Sequence, residues 1–218
     1  MSRSKPARPL VAPLLAVLAL ACSSDPPPPE APAAAPGAGP AAGAAELKLR
    51  WKLPDGAVQL ELTKAGDRYR VRDGADVLIG KVRVKEDRVT FKDASDVETR
   101  KIKLKDDGSA EVETASGERL YRVRNDDDGS LRIKSAADET LVKLKLKDDG
   151  YEVRDAAGAT LAKVKSRDGQ VNFKTEAGDD LGRLDGTEDA RAAMWLAAEP
   201  LTLEERAALV VYYLEIAR

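Results

Sequence analysis

The chain has 218 residues, with 36 Lys and Arg against 38 Asp and Glu, a formal charge of −2, and 34% of its residues are charged. A surface so ionised, yet without a dominant sign, speaks against nucleic acid as the partner. Histidine is absent and cysteine occurs once, which removes the commonest general base, the usual zinc ligands, Cys/His catalysis and any internal disulfide.

Residues 1–21 read as a signal peptide: Arg3, Lys5 and Arg8 precede an uncharged apolar run from Leu10 to Ala21 that ends on small residues before Cys22. The run has 12 residues, short of the ~20 needed to span a bilayer as a helix. "LALAC" resembles the bacterial lipobox, with Leu20 and Ala21 in the usual pattern and Ala19 where leucine is the common choice. The resemblance implies that Cys22 is the lipid attachment site and the mature N-terminus, and so that the chain meets a membrane through a lipid anchor. An ordinary secretory signal cut nearby is the alternative. Ser23 and Ser24 follow, rather than the aspartate that retains enterobacterial lipoproteins at the inner membrane, so by the same resemblance the outer membrane is favoured.

Residues 22–45 form a spacer. From Asp25 to Ala45 the sequence "DPPPPEAPAAAPGAGPAAGAA" offers no large apolar side chain to bury, and its prolines favour extended conformations. A mature chain starting at Cys22 loses the three leader cations, leaving 33 basic against 38 acidic side chains, a formal charge of −5.

Residues 46–186 repeat. "YRVRD", "VTFKD", "AEVET", "LRIKS", "YEVRD" and "VNFKT" have their third residues at Val71, Phe91, Val112, Ile133, Val153 and Phe173, 20 or 21 residues apart. A second phrase inside each copy ends at Val82, Ile102, Val123, Leu144, Val164 and Leu184. Each copy is therefore two short alternating segments separated by Asp- and Gly-rich turns such as "KDDG", "NDDDG" and "RDG", the pattern of a β-hairpin. Alternation points Leu144, Leu146, Tyr151 and Val153 to a core, and Lys143, Lys145, Glu152 and Arg154 away. Upstream, Leu47, Leu49, Trp51 and Leu53 share one face, Pro54-Asp55-Gly56 turns the chain, and Val58, Leu60 and Leu62 return. About fourteen strands result.

Most of the lysines are then the solvent side of strands, where charge keeps a sheet soluble and discourages edge pairing. One column recurs in every copy: Lys81, Lys101, Arg122, Lys143, Lys163 and Arg183. Two residues earlier stand Ile79, Thr99, Leu120, Leu141, Leu161 and Leu181, mostly apolar. The two columns together form a candidate basic face for an anionic lipid or amphiphile. The alternative is that the apolar column lies at a strand corner or bulge and turns inward over the end of the core. No metal site or cofactor is expected, because "NDDDG" from Asn125 to Gly129 lacks the EF-hand spacing with its terminal glutamate, and turn chemistry accounts for its acids.

Residues 187–218 change period. "TEDARAAMWLAAE" from Thr187 starts like a helix and Pro200 closes it, and "TLEE" from Thr202 to Glu205 is a capping box opening a second helix. "AALVVYYL" from Ala207 to Leu214 is apolar on every side of a helix and so calls for burial all round. These helices complete the same domain.

A meander of short antiparallel strands followed by an all-round apolar helix resembles the tubby-like barrels, a group that includes the tubby C-terminal domain and the scramblase and LURP-one relatives. The resemblance runs from Tyr69 to Ala217, carried by "YRVRD", "YEVRDAAGATLAKV" and "AALVVYYL". It implies a mainly β fold, an antiparallel meander closing into a barrel around the C-terminal helix. The regular repeat and the Pro200 break depart from the family, and its phosphoinositide binding is not carried over, because no motif here matches it. The competing architecture is a β-solenoid of 20-residue coils with a C-terminal helical cap, against which the Asp-Gly turns argue.

The expected function is that of a lipid-anchored cell-envelope protein with a non-catalytic binding or scaffold domain, meeting an envelope ligand or protein. The alternative is a binder of anionic lipid or amphiphile. A hydrolase would need paired carboxylates in a cleft, and the dense acids fall in turns.

Overall fold

The computed structural model describes residues 47–217. The signal peptide, Cys22 and the spacer lie outside the described residues.

Fourteen strands follow one another: β1 (Lys48–Lys52), β2 (Val58–Ala65), β3 (Arg68–Asp73), β4 (Leu78–Val84), β5 (Arg88–Asp93), β6 (Glu98–Leu104), β7 (Ala110–Thr114), β8 (Arg119–Asn125), β9 (Leu131–Ser135), β10 (Thr140–Lys147), β11 (Gly150–Asp155), β12 (Thr160–Arg167), β13 (Gln170–Lys174) and β14 (Asp180–Asp185). Each pairs antiparallel with the next, and β1 pairs with β14 through Arg50–Asp185, Trp51–Leu184 and Lys52–Arg183, so the sheet closes into a barrel. Closure leaves no edge strand. Antiparallel neighbours joined by tight turns exclude the solenoid.

The turns explain the acids. Asp73 accepts from the backbone N–H groups of Ala75 and Val77, both at 2.9 Å, and Asp76 takes the left-handed conformation that closes the loop. Asp, like Asn, tolerates that region better than most residues. Asp93 and Asp96 repeat the device between β5 and β6. At the other end, Asp168 and Gly169 both have positive φ, as a two-residue hairpin turn requires.

The twelve core positions read from the two repeated phrases are all buried, at 2% exposure or less. Every strand contributes inward residues to one apolar cluster. Fourteen strands enclose a lumen wider than side chains alone fill, and the C-terminal segment fills it. A single α-turn, α1 (Ala190–Ala193), runs into a 3-10 helix (Met194–Ala197), and after Pro200 comes α2 (Leu203–Glu215). Ala207 to Leu214 are buried on all sides of α2, each large side chain contributing ~1.5–3 kcal/mol.

The capping box forms as expected, with Glu205 N–H donating to Thr202 Oγ1 at 3.3 Å and Thr202 N–H donating to Glu205 Oε2 at 3.0 Å. The first predicted helix is shorter than its sequence suggests. Its N-cap is Asp189, not Thr187, and the chain tightens to 3-10 at Met194. Burial of Met194, Trp195 and Leu196 against the barrel decides that geometry over propensity. Leu146 also departs from expectation, being 43% exposed beyond the end of the core.

Candidate functional site

The six recurring cations lie on β4, β6, β8, β10, β12 and β14, every second strand of a closed ring. They therefore encircle the barrel and do not share one patch. Most are neutralised locally: Lys81 by Asp96 at 2.9 Å, Lys101 by Glu98 at 2.9 Å, Arg122 by Asp107 at 2.6 Å and Arg183 by Asp185 at 3.1 Å. Lys163 donates to the Glu176 carbonyl at 3.0 Å. Among the described residues, Lys143 alone of the six has neither an ion pair nor a hydrogen bond from its side chain.

The neighbouring apolar column sits at a bulge in every repeat. Val71 pairs with Gly80 and Arg72 with Leu78, leaving Ile79 as the extra residue. The same slip isolates Thr99, Leu120, Leu141, Leu161 and Leu181. An extra residue resets the pleat, so side chains on either side of it keep their faces while the bulged one is re-aimed. Ile79, Leu141, Leu161 and Leu181 pack against the core, and Thr99 and Leu120 are half-buried. No exposed apolar stripe accompanies the cations. Leu161 and Leu181 instead help line a cavity of about 160 Å³ with Trp51, Phe173 and Leu196, which Glu199 and Arg206 also line.

Cross-strand register, rather than the repeat, gathers charge on the outer wall. Arg124 stands opposite Arg132, Arg132 opposite Lys143, and Lys143 opposite Arg154. Lys163 stands opposite Lys174. Like charges directly opposite one another are destabilising, so the wall carries positive potential that its own acids only partly offset.

From β10 to β13 this wall is concave. One hollow of about 760 Å³ is lined by Lys145, Lys147, Arg154, Lys163 and Lys165 together with Asp148, Asp149 and Glu152. A second, of about 490 Å³, shares Lys163 and Lys165 and is lined further by Arg167 with its ion-pair partner Asp168, and by Gln170, Asn172 and Lys174. Glu152 is 6% exposed. Its carboxylate accepts from the Thr160 hydroxyl at 2.7 Å and from Arg154 Nη2 at 2.9 and 3.0 Å, and Lys147 lies at 3.4 Å. The Thr160 bond and these cations outweigh burial and hold its pKa down to about 2. Lys165 pairs with Asp149, whose carboxyl is likewise held below its usual range by that bond. Among the described residues, Lys145 and Lys174 form no ion pair.

Two further charged groups reach inward. Arg100 Nε donates to Glu205 Oε1 of α2 at 2.9 Å, with Glu205 at 2% exposure. Lys64 Nζ pairs with Glu215 at the far end of α2 at 2.6 Å, and the Tyr69 hydroxyl donates to the same carboxylate. These contacts hold the helix within the barrel. Among the described residues no group of three or more His, Cys, Asp or Glu is placed to hold a metal, and no helix is long and apolar enough to cross a membrane.

Neither a protein-family model nor a curated protein matches the chain. Among solved structures, a crystal structure of a protein from Arabidopsis thaliana is similar over 63% of this chain and 86% of that one, at 13% identity and a TM-score of 0.39. Similarity at that level bears on neither ligand nor activity.

Proposed function

We propose that the chain is a lipid-anchored cell-envelope protein, attached through Cys22 and held off the membrane by its Pro/Ala-rich spacer, whose barrel is a non-catalytic binding or scaffold module. The observation that carries the binding reading is the filled lumen. With Ala207 to Leu214 buried inside the barrel, contact with a ligand or protein falls to the wall and rims, and the wall is rich in cations. The reading as a binder of anionic amphiphiles loses most of its apolar column, since Ile79, Leu141, Leu161 and Leu181 pack against the core, and keeps chiefly its charge.

Mass spectrometry of the mature N-terminus and envelope fractionation test the anchor. The expected finding is a diacylglyceryl-modified Cys22, with the Cys22→Ser chain released from the membrane fraction. An unmodified N-terminus elsewhere, or a Cys22→Ser chain that stays with the membrane, would contradict it.

A further inference from the structure

We propose that the concave wall over β10–β13 is a binding site for a carboxylated polysaccharide, a polymer of hydroxylated sugars bearing uronic-acid groups. The proposal rests on reading the barrel as a binding module and names the class of ligand.

Shape is the first observation. The outside of a closed barrel is convex by default, yet here two hollows of about 760 and 490 Å³ share Lys163 and Lys165 in their linings, each within the ~300–1,000 Å³ range of ligand sites. Two hollows side by side, with Lys163 and Lys165 lining both, suit a linear chain that passes from one to the next, and a flat bilayer surface would touch only their rims.

Charge is the second. Lys163 stands directly opposite Lys174, and among the described residues Lys145 and Lys174 form no ion pair. Strands lie ~4.8 Å apart, and the row Lys145, Glu152, Lys163, Lys174 across β10–β13 sets three cations about one carboxylate that is already neutralised, so that the negative groups of one polymer can meet the cations on either side of it. An anion bound there would relieve the repulsion that the bare wall carries. Glu152 already shows how this wall holds a carboxylate: one hydroxyl and two cations close on it.

Chemistry of the lining is the third. The side-chain amides of Gln170 and Asn172 lie in the trough, bonded to each other at 3.3 Å, and amides are the natural partners of sugar hydroxyls because each offers donors and an acceptor. Tyr151 is the one aromatic in the lining and it is half-buried. Single-stranded nucleic acid would need exposed rings on which its bases stack. Leu146 is the one exposed aliphatic group, too little for a lipid surface.

The test uses the full-length chain carrying Cys22→Ser, so that anchoring plays no part in the result. Calorimetric titration with polygalacturonate is compared with dextran, phosphatidylglycerol vesicles and oligo-dT. The expected result is binding of polygalacturonate in preference to all three, weakened by salt as exposed charges are screened. Replacing Lys145, Lys163, Lys165 and Lys174 with glutamine should weaken it at least tenfold. A control with four cations of the opposite wall replaced (Arg68, Arg70, Arg83 and Lys92 to glutamine) should stay within twofold of the parent. Replacing Gln170 and Asn172 with alanine should weaken binding several-fold without changing its salt dependence. No binding of polygalacturonate, equal losses in the two glutamine variants, or tighter binding of vesicles or oligo-dT would each overturn the proposal while leaving the lipid-anchor test untouched.

Discussion

Replacing Arg100 with methionine breaks the ion pair that ties α2 to the barrel wall, and the structure sets the size of the effect. Glu205 is 2% exposed and its carboxylate touches Arg100 Nε at 2.9 Å and accepts from the Thr202 N–H at 3.0 Å. Removing one partner of a buried pair strands the other charge and costs ~3–5 kcal/mol. Because the Arg100 side chain is 29% exposed, water already screens the pair, and the lower end, about 3 kcal/mol, is the expected loss. In a domain of this size that is a fall in Tm of roughly 6–12 °C. Glu205→Gln should cost less, about 1 kcal/mol, since glutamine can still complete the capping box and Arg100 still donates to the Thr99 carbonyl at 2.9 Å. Combining Arg100→Met with Glu205→Gln removes both charges and should recover most of the single loss. Urea denaturation followed by tryptophan fluorescence, run as a double-mutant cycle at pH 7, reads all three. A loss under about 1 kcal/mol for Arg100→Met, or a double variant as unstable as the sum of the singles, would refute the coupling of α2 to the wall.

Truncation after Leu201 should leave the barrel without its filling, losing native near-ultraviolet circular dichroism, and a cooperative native-like melt would show that the helix is dispensable. Gly80→Val should destabilise by ~1–3 kcal/mol in thermal melts, because even a Cβ there would lie 2.4 Å from both the Phe91 ring and the Lys92 carbonyl. The depressed pKa of Glu152 makes it a source of acid lability: its contribution is complete above the unfolded value near ~4.3 and is lost as pH falls towards about 2. With solvent screening that contribution is on the order of 1–2 kcal/mol, so Glu152→Gln should flatten the stability profile between pH 5 and pH 2, measured as ~ΔG from urea melts.

Most of the architecture was legible because the core speaks twice in each repeat. Val71 and Val82, or Val153 and Val164, are large apolar residues at a fixed spacing, and alternation about them gives strands, turns and faces together. Closure of the sheet into a barrel came from the resemblance to the tubby-like barrels and not from any residue, since the pairing of β1 with β14 depends on accumulated twist over the whole ring. The bulges were legible only as one of two readings: Ile79 and Leu161 read as outward by strict alternation or as inward at a bulge, and the register slip beside them decides for the bulge. Arg100 carried no signal in the sequence. It sits where other repeats place Gly80, Val142 or Ala162, facing inward, and its charge is explained only by a glutamate 105 residues away.

The site was the least legible part. Reading down the repeat selected one cation per copy, a column that the closed sheet spreads round its circumference. The trough is built across the repeat, by neighbours such as Lys163 and Lys174 that cross-strand register brings together. Lys145, Lys165, Gln170 and Asn172 carry no signal in the sequence beyond that of solvated strand residues, and it is the local concavity of the wall that sets them apart.

Amide chemical-shift mapping of the full-length Cys22→Ser chain during titration with polygalacturonate tests most directly the claim that this barrel binds through its wall. The account predicts perturbations concentrated on β10–β13, at Lys145, Lys163, Lys165, Asn172 and Lys174, with Ala207 to Leu214 of α2 unmoved. Shifts centred on α2 and the lumen-facing residues, or spread evenly round the ring through β3–β6, would contradict it.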